Sequence, residues 1–428
     1  MIVNALIDEL TWRGLIASST DLDRLASALD DGPLTLYVGF DPTAPSLHLG
    51  NLLQILTMRR FQNHGHLPLA LVGGATGLIG DPKMTGERTL NPAEVVESWA
   101  GRLRGELERF YDFDGLAAAR MVNNLDWTRD IDVITFLRDI GKHFSVNRML
   151  DREAVAARLA NEGISFTEFS YQVLQSHDYL ELFRRYGCTL QTGGSDQWGN
   201  ITAGVDLIRR VEGAHVHALT TPLVTKSDGT KFGKTETGTV WLDADMTTPY
   251  AFFQFWLNAD DRDVSTFLRF YSMKSRAEIE ALEQVTMEEP AKRDAQRELA
   301  RELTTLVHGS DAMHAVEAAA AALFGRGELS DVPDSALGAA LREVPHAVLT
   351  EADIVAGELP DIVDLLTRSG LSPSRGAARR TIGEGGAYVN NVRVDDEAWR
   401  PLATDLIGGR YLVLRRGRKT VAGIILGA

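Results

Sequence analysis

The chain has 428 residues, 44% of them hydrophobic and 24% charged, a composition that excludes wholesale disorder and is typical of globular domains. At roughly 100–200 residues per domain, we expect two to four domains. The 44 Lys and Arg against 59 Asp and Glu give a formal charge of −15, which taken alone argues against a nucleic-acid partner. The single cysteine, Cys188, excludes an intramolecular disulfide and an all-cysteine metal site.

The N-terminal segment MIVNALIDELTWRG carries acidic residues where a secretory signal carries basic ones. No run of about 18 apolar residues, the length that crosses a bilayer, follows it. We therefore expect a cytoplasmic protein without a membrane segment.

The first half of the sequence alternates β-rich runs with amphipathic helical ones. We expect strands at 34–40, 67–74, 121–123, 188–194 and 216–224, and helices at 49–63, 93–111 and 169–186. This alternation predicts an α/β fold with a doubly wound, parallel, Rossmann-like sheet. Such sheets bind ligands at the carboxyl ends of their strands.

After about residue 240 the pattern becomes helical, and glycine, proline and aspartate then interrupt it. We predict four parts: a Rossmann-like catalytic domain at 1–240, an all-helical domain at 241–326, an irregular linker at 327–358 with a short helix at 336–342, and a small α+β module at 359–428. The section at 360–428 carries a charge of +4, which leaves −19 on the rest. That asymmetry indicates a nucleic-acid contact at one end, or else a chance basic excess on a solvated surface.

Two glycine-rich segments follow the first two strands. YVGFDPTAPSLHLGN (37–51) ends a strand and opens a helix at HLGN, where free backbone N–H groups can face a phosphate. GGATGLIGDP (73–82) lacks the Lys-Ser/Thr ending of a P-loop. Each glycine-rich turn is also compatible with packing alone.

Polar side chains gather in two later segments. SYQVLQSHDYL spaces Tyr171, Gln175 and Asp178 at i, i+4 and i+7, which puts them on one stripe of a helix. The stripe is either a solvated face or a recognition surface in the sheet cleft. GGSDQWGN (193–200) brings Asp196 and Gln197 to the point where a strand enters a helix, a position suited to ribose hydroxyls.

SDGTKFGKT (227–235) follows the last strand. Its Lys231 and Lys234 flank a glycine and are suited to neutralising phosphate charge, although a solvated loop often carries the same pattern. No histidine clusters with carboxylates or with Cys188 in a metal-ligand spacing.

These segments carry a resemblance. HLGN resembles the HIGH signature and KFGKT the KMSKS signature of class I aminoacyl-tRNA synthetases, and the five strings together resemble bacterial tyrosyl-tRNA synthetases over essentially the whole chain. The resemblance implies activation of tyrosine by ATP to tyrosyl-adenylate and pyrophosphate, then transfer of tyrosine to the 3′ end of tRNA(Tyr). It implies ATP as a substrate with Mg²⁺, no tightly bound protein metal, and a homodimer. The helical domain would contact the anticodon arm.

The resemblance also implies roles for individual residues. Tyr37 and Asp178 are expected to bind the phenol of the substrate tyrosine. Asp81, Tyr171 and Gln175 are expected to bind its ammonium group. Those expected to bind ATP and the adenylate are Gly39, Asp41, Gly50, Asn51, Asp196 and Gln197. The catalytic residues, which would stabilise the γ-phosphate and pyrophosphate, are Thr43, His48, Lys231, Lys234 and Thr235. The C-terminal section resembles an RNA-binding module first known from a small-subunit ribosomal protein, and its expected tRNA contacts are Arg375, Arg379 and Arg380.

Elementary chemistry agrees with these roles. The tyrosine carboxylate is itself the nucleophile, so the protein needs to align it with the α-phosphate and stabilise charge that spreads onto pyrophosphate. Donors that strengthen only in the transition state raise the rate. A buried Tyr37 and Asp178 built for a phenol would be left unsatisfied by phenylalanine, which disfavours that substrate.

Two positions depart from the family pattern. Asn51 stands where the HIGH signature has its second histidine. After Asp81 the sequence reads KMTGERT, and either Lys83 or Arg88 is a candidate for approaching the phosphates.

Two other functions are compatible with the resemblance. The first is a tryptophanyl-tRNA synthetase, against which the Tyr37 and Asp178 pair and the C-terminal module argue. The second is a non-catalytic RNA-binding relative of a synthetase, against which the intact His48, Asp178, Lys231 and Lys234 argue.

Overall fold

The computed structural model of the chain describes residues 4–83, 86–161, 163–227, 232–235, 238–417 and 419–427. Lys231 lies outside the described residues, and so do the side chains of Lys234 and Thr235. The chain divides into two compact units. The first comprises Met1–Met246 and Asp260–Glu288, and the second comprises Thr247–Ala259 and Glu289–Ala428.

A six-stranded sheet forms the centre of the first unit, in the order β1-β6-β5-β2-β3-β4. Its strands are β1 (Ser18–Ser19), β2 (Thr35–Phe40), β3 (Leu67–Val72), β4 (Arg120–Asn123), β5 (Cys188–Gly194) and β6 (His217–Thr221). All neighbours pair in parallel except β1, which runs antiparallel to β6 at the edge. The predicted doubly wound α/β fold is confirmed.

Helices connect the strands and cover the sheet. They are α1 (Ala5–Arg13), α2 (Leu22–Asp30), α3 (Leu49–Asn63), α4 (Ala93–Leu107), α5 (Leu125–Thr128), α6 (Val133–Thr135), α7 (Val146–Leu150), α8 (Glu153–Asn161), α9 (Phe166–Tyr186) and α10 (Trp198–Glu212). A short hairpin, β7 (Lys234–Thr235) and β8 (Gly238–Thr239), follows β6. Strand β3 is buried along nearly its whole length, as expected where helices cover both faces of a parallel sheet.

Helix α9 carries the polar stripe and is fixed at both ends. Ser165 accepts the N–H of Glu168 at its start, and Gly187 ends it with a left-handed φ of 62°. Tyr171 and Asp178 are buried on the face of α9 that the rest of the unit covers. The stripe therefore belongs to the interior of the unit, which resolves the alternative of a solvated face.

The second unit holds α11 (Pro249–Leu257), which packs against later helices, and it also contains a small sheet. The other helices are α14 (Asp294–His308), α15 (Ser310–Leu323), α16 (Asp334–Arg342), α17 (Ile362–Arg368) and α18 (Arg375–Gly383), while α12 (Asp261–Tyr271) and α13 (Arg276–Glu288) belong to the first unit. The sheet has the order β11-β10-β12-β13-β9 and is formed by β9 (His346–Leu349), β10 (Ala387–Val389), β11 (Val392–Val394), β12 (Tyr411–Arg416) and β13 (Thr420–Leu426).

These units differ from the predicted boundaries at two places. The predicted helical domain at 241–326 is divided, because α12 packs on α3 of the first unit and Tyr271 donates its hydroxyl to Leu49 O at 3.2 Å. The predicted linker at 327–358 contains the expected short helix, α16, and also a strand that was not predicted, β9, which pairs in parallel with β13. The residues of β9 have no periodicity of their own, so they form a strand only because they pair with β13, which lies much later in the sequence.

Within the described residues, none of the helices combines the length and the apolar composition that crossing a bilayer requires.

Candidate active site

Tyr37 lies in the middle of β2, with its side chain in the interior of the unit. Its ring is 5.3 Å from that of Tyr179, and its hydroxyl oxygen is buried without a hydrogen-bond partner among the described residues. Burial first, and then the charge of Asp178, raise the pKa of Tyr37 well above its usual value. A buried hydroxyl without a partner is costly, so this position is prepared for a polar ligand.

Asp178 of α9 is held by two donors from the segment after β4. The indole Nε1 of Trp127 donates to Oδ1, and Nδ2 of Asn124 donates to Oδ2, each at 2.9 Å. Burial raises the pKa of Asp178 to about 7, against the lowering effect of these two hydrogen bonds. The carboxyl group is therefore fixed in orientation and titrates near neutrality.

Asp41, in the turn after β2, accepts two more hydrogen bonds. The hydroxyl of Tyr171 donates to Oδ2 at 2.7 Å, and that of Thr76 donates to Oδ1 at 2.6 Å. Asn124 in turn donates to Thr76 Oγ1 at 2.8 Å, so one network joins Asp178 to Asp41. Burial raises the pKa of Asp41 to about 6.

The glycines of GGATGLIGDP allow this close approach. A Cβ on Gly73 would collide with Oδ1 of Asp41, and one on Gly74 would collide with the amide of Asn123. A Cβ on Gly77 would lie 2.7 Å from Cδ of Pro42. The three glycines thus allow close packing against Asp41, Asn123 and Pro42 respectively, which is the alternative that the sequence left open for this segment.

Asp81 and Gln197 form a second polar group, where β3 and β5 lead into their loops. Nε2 of Gln197 donates to Asp81 Oδ2 at 2.9 Å, and Nδ2 of Asn200 donates to Asp81 Oδ1 at 3.1 Å. Oε1 of Gln175 is buried without a hydrogen-bond partner among the described residues. Asp196 is exposed beside Gly194.

The segment after Asp81 brings Arg88 back to this group. Arg88 Nε donates to the carbonyl of Asp81 at 2.7 Å, and its backbone N–H donates to Glu168 at 3.0 Å. Glu168 forms a buried ion pair with Arg158 at 3.1 Å, which fixes it. The charge of Arg88 also lowers the pKa of Asp41, whereas Lys83 is exposed. Of the two candidates, Arg88 is the one beside the carboxylates.

His48 begins α3 and caps it. Its Nδ1 accepts the N–H of Gly50 at 3.0 Å, and its own N–H donates to Oδ1 of Asn51 at 3.1 Å. Asn51, expected at the ATP sugar, thus completes a capping box in the place of the second motif histidine. His48, Gly50 and the nearby Gly39 and Thr43 are exposed around the carboxyl end of β2.

The described part of KFGKT, residues 232–235, lies over the start of α3. Leu49 N–H donates to Val240 O at 3.3 Å, and Val240 N–H donates to Gly233 O at 2.9 Å. The ring of Phe232 packs against those of Phe267 and Tyr271, at centroid distances of 4.8 and 5.5 Å. The two signature segments are thereby brought together, as their resemblance to HIGH and KMSKS implies.

The three predicted tRNA-binding arginines lie on α18 of the second unit, and all are exposed. Arg375 pairs with Asp364 at 2.9 Å, and Arg379 pairs with Glu397 at 3.3 Å. Arg380 makes no ion pair within the part of the chain that the structure describes.

Sequence reasoning missed the supporting residues of the first unit. Asn124 and Trp127 hold Asp178, and Thr76 holds Asp41. The string NNLDW directly follows a predicted strand, and the carboxyl end of a parallel strand was the available signal for Asn124. Over the described residues, no group of three or more His, Cys, Asp and Glu side chains is placed to hold a metal ion.

Comparison with known proteins agrees with this geometry. The sequence model of the tRNA synthetases class I (W and Y) matches residues 29–325, and that of the tyrosine–tRNA ligase SYY-like C-terminal domain matches residues 338–422. A curated tyrosine–tRNA ligase of Streptomyces griseus is 62% identical over 424 residues, which are 99% of each chain. The chain belongs to the tyrosine–tRNA ligase family.

Other members of the tyrosine–tRNA ligase family support the same conclusion. The enzyme of Thermobifida fusca is 59% identical over 98% of this chain and 99% of its own. Among solved structures, a C-terminally truncated mitochondrial tyrosyl-tRNA synthetase of Coccidioides posadasii has a TM-score of 0.66 at 30% identity. It covers 73% of this chain and 91% of its own. The second family model starts at residue 338, inside α16, so the C-terminal domain of the family includes β9.

Proposed function

We propose that the first unit activates tyrosine with ATP, giving tyrosyl-adenylate and pyrophosphate, and then passes tyrosine to the 3′ end of tRNA(Tyr). The observation that carries the proposal is the buried hydroxyl of Tyr37, which has no hydrogen-bond partner among the described residues, beside the fixed carboxyl group of Asp178. A substrate phenol satisfies both groups at once, as acceptor from one and donor to the other. Phenylalanine would leave the Tyr37 hydroxyl without a partner and would offer Asp178 no donor beyond Trp127 and Asn124.

The other end of the substrate would meet the second polar group. Asp81, Tyr171 and Gln175 are proposed to hold the tyrosine ammonium group. Supporting this, Asp81 is already oriented by Gln197 and Asn200, and Oε1 of Gln175 is an acceptor in need of a donor. A cation here would compensate the carboxylates that burial disfavours.

The nucleotide would lie over the carboxyl end of β2 and the start of α3. Gly39, Asp41, Gly50, Asp196 and Gln197 are proposed to line the adenylate. Asn51 is proposed to contact the ATP sugar in addition to its place in the capping box. Mg²⁺ is proposed to arrive with ATP and to neutralise phosphate charge.

Rate acceleration would come from donors that meet the charge developing on pyrophosphate. Thr43 and His48 are exposed near the carboxyl end of β2, and Gly233 lies against Leu49 of α3. Lys231, Lys234 and Thr235, which flank Phe232 and Gly233 in the sequence, are proposed to bind the pyrophosphate. No side-chain nucleophile is needed, since the tyrosine carboxylate attacks the α-phosphate directly.

The C-terminal module is proposed to bind the tRNA, with Arg375, Arg379 and Arg380 among its contacts, and the helices of the second unit are proposed to reach the anticodon arm. The ion pairs of Arg375 and Arg379 are exposed, and such pairs are worth only about 0–1 kcal/mol. Exchange of their carboxylates for RNA phosphates is therefore inexpensive.

The chain is proposed to act as a cytoplasmic homodimer. Large apolar side chains are exposed along the stretch from α6 to the start of α9, and they include Val133, Ile134, Leu137, Val146 and Phe166. A concentration of exposed apolar residues is typical of a surface that another protein covers.

Exchange of labelled pyrophosphate into ATP tests this proposal. We expect exchange that depends on tyrosine and is not supported by phenylalanine or tryptophan. Absence of exchange with tyrosine, or equal exchange with tryptophan, would overturn the proposed function.

A further inference from the structure

A buried carboxyl group on α4 lies outside the groups that the proposed function uses. Glu106 is only 7% exposed, and its Oε2 accepts the backbone N–H of Leu47 at 2.8 Å. Its other oxygen, Oε1, is buried without a hydrogen-bond partner among the described residues. Burial raises the pKa of Glu106, while the N–H of Leu47 and the hydroxyl of Ser46 lower it. Burial of a carboxyl group is costly unless it is hydrogen-bonded, so Glu106 is tied to the segment that it binds.

Leu47 directly precedes His48 in the first signature segment, and both of its backbone groups are engaged. Its N–H donates to Glu106, and its carbonyl oxygen accepts the N–H of Leu242 at 2.8 Å. Its side chain is buried as well. The backbone is therefore fixed at the residue from which His48 starts.

Leu47 takes part in a short pairing between the two signature regions. Residues 47–49 run antiparallel to residues 240–242, which follow KFGKT, and His48 lies opposite Trp241. We call this pairing the signature bridge. The ring centroids of His48 and Trp241 are 6.2 Å apart, so the bridge also sets the surroundings of the imidazole.

Ser46 extends the signature bridge by one residue. Its hydroxyl oxygen accepts the N–H of Asp243 at 3.1 Å, and its side chain is buried. The same hydroxyl is one of the groups that lower the pKa of Glu106, which places it close to that carboxyl group. Glu106 thus contacts two successive residues of the first signature region from a helix that belongs to neither region.

The buried residues of this segment lie between two exposed ones. Thr43 and His48, the proposed donors to the pyrophosphate, are exposed, whereas Ser46 and Leu47 are buried. A transition-state donor is effective only near its productive position, and a displacement of about 1 Å can cost a factor of roughly 100 in rate. The contacts of the buried pair therefore determine where the two donors stand.

We propose that Glu106 is a positioning residue for adenylate formation, because it holds the signature bridge and so sets where Thr43 and His48 meet the pyrophosphate. This inference rests on the proposed function and adds a residue that acts through its neighbours and not on a substrate. Its carboxyl group acts through the backbone, as the acceptor for the Leu47 N–H. Binding of tyrosine should not depend on it, since the proposed phenol pocket is built on β2 and α9.

Pyrophosphate-exchange kinetics and thermal melting of the full-length protein test the proposal. Glu106→Met keeps a side chain of similar length and removes the acceptor. Glu106→Gln is the rescue variant, because its amide oxygen can accept the Leu47 N–H in place of the carboxylate. Leu29→Ala is the stability control, since it removes a buried side chain of α2, outside the signature bridge.

We expect kcat to fall by about 10- to 100-fold in Glu106→Met, with little change in the KM for tyrosine or for ATP. Glu106→Gln should recover most of the loss. Leu29→Ala should lower the melting temperature and leave kcat unchanged. If Glu106→Met does not fold, Ser46→Ala carries the test: it removes the acceptor for the Asp243 N–H and should lower kcat by about 2- to 10-fold.

A double-mutant cycle with His48→Ala separates positioning from general damage. Because Glu106 is proposed to act partly through His48, Glu106→Met should lower kcat less in the His48→Ala background than in the wild type. Equal losses in the two backgrounds would overturn the inference.

Three further results would overturn the inference and leave the proposed function intact. They are a wild-type kcat in Glu106→Met (or in Ser46→Ala where that variant carries the test), a loss in Glu106→Gln as large as in Glu106→Met, and a raised KM for tyrosine at unchanged kcat. A wild-type protein without tyrosine-dependent exchange would instead refute the proposed function.

Discussion

The hydroxyl of Tyr171 donates a hydrogen bond to Oδ2 of Asp41 at 2.7 Å and so joins α9 to the turn after β2. The family resemblance assigns Tyr171 to the tyrosine ammonium group and Asp41 to the adenylate. Through Thr76 and Asn124 the same network extends to Asp178. Residues expected at the two ends of tyrosine and at the nucleotide therefore share one set of hydrogen bonds, and displacement of any member should affect both substrates.

Gly73→Ala tests the position of Asp41. The new Cβ would collide with Oδ1 of Asp41, and therefore the carboxyl group or the turn must move. We expect pyrophosphate exchange to fall by about tenfold or more, because displacements of this size at a reacting centre are costly.

The matched control for that substitution is Gly101→Ala in the interior of α4, where the structure shows nothing within 4 Å of the new Cβ. It should raise stability by up to about 1 kcal/mol through helix propensity and leave the rate unchanged. Equal rates for Gly73→Ala and the wild type would show that Asp41 need not lie where the structure has it.

Asp178→Asn should change how stability depends on pH. The folded pKa of Asp178, about 7, lies above the value of about 4 for an unfolded aspartate, so the folded state binds the extra proton between these values. The contribution of this carboxyl group to the free energy of unfolding is fully present below about pH 4 and is lost as the pH rises to about 7. Denaturant unfolding from pH 5 to 8 should show the wild type losing stability relative to Asp178→Asn, at up to about 1.4 kcal/mol per pH unit.

A constant offset between those two proteins is also expected, because the new amide N–H₂ would face the donor of Asn124 or Trp127. The offset does not depend on pH, and so it does not hide the slope. Parallel stability profiles would mean that Asp178 is ionised throughout this range in the folded protein.

His48 has a structural task as well as its proposed catalytic one, and two variants separate them. His48→Ala removes the cap of α3, at a cost of about 0.5–2 kcal/mol, whereas His48→Asn replaces it with a good capping residue. We expect adenylate formation to slow by roughly 10²–10³ in His48→Ala, with little change in the KM for ATP, as for loss of one transition-state donor. His48→Asn should recover the stability but not the full rate; recovery of both would assign His48 to capping alone.

The pairing of the C-terminal strands determines which C-terminal truncations leave a strand without its partner. A protein that ends at residue 356 keeps β9 but loses β13, its parallel partner, and so leaves a strand edge exposed. One that ends at residue 325 removes the whole sheet together with α16. We expect the shorter protein to be the better behaved of the two in size-exclusion chromatography, to exchange pyrophosphate as the full chain does, and to charge tRNA poorly. Full charging by it would exclude the C-terminal module from tRNA binding.

Local periodicity predicted the five parallel strands of the first unit and three of its helices. The strand at 188–194 and the helix at 49–63 have the bounds that the sequence indicates, because apolar spacing and flanking glycine or histidine mark both. Strand β9 escaped prediction, since its four residues have no alternation and depend on pairing with β13. The antiparallel strand β1 is two residues long and has no sequence signal of its own.

The residues of the candidate site also divide into those that the sequence predicts and those that only the folded structure identifies. Tyr37, in the middle of β2, and Asp81, in the loop after β3, were assigned from the family resemblance, and the structure places Tyr37 near the charge of Asp178 and Asp81 beside Gln197 and Asn200. The donors Asn124 and Trp127 could not be assigned, because only the packed structure shows that they point at Asp178. Asn51 was predicted at a ligand, and the structure shows its side chain in the capping box of α3.

The most direct test of the account is the ratio of kcat/KM for tyrosine to that for phenylalanine in pyrophosphate exchange, compared between the wild type and Tyr37→Phe. Tyr179→Phe is the control, because its ring is an equally buried neighbour but its hydroxyl is bonded to His217 O at 2.8 Å. We predict that Tyr37→Phe lowers the ratio by about 5- to 100-fold, the range for one buried hydrogen-bond partner, and that Tyr179→Phe leaves it unchanged. An unchanged ratio in Tyr37→Phe would contradict the assignment of Tyr37 to the substrate phenol.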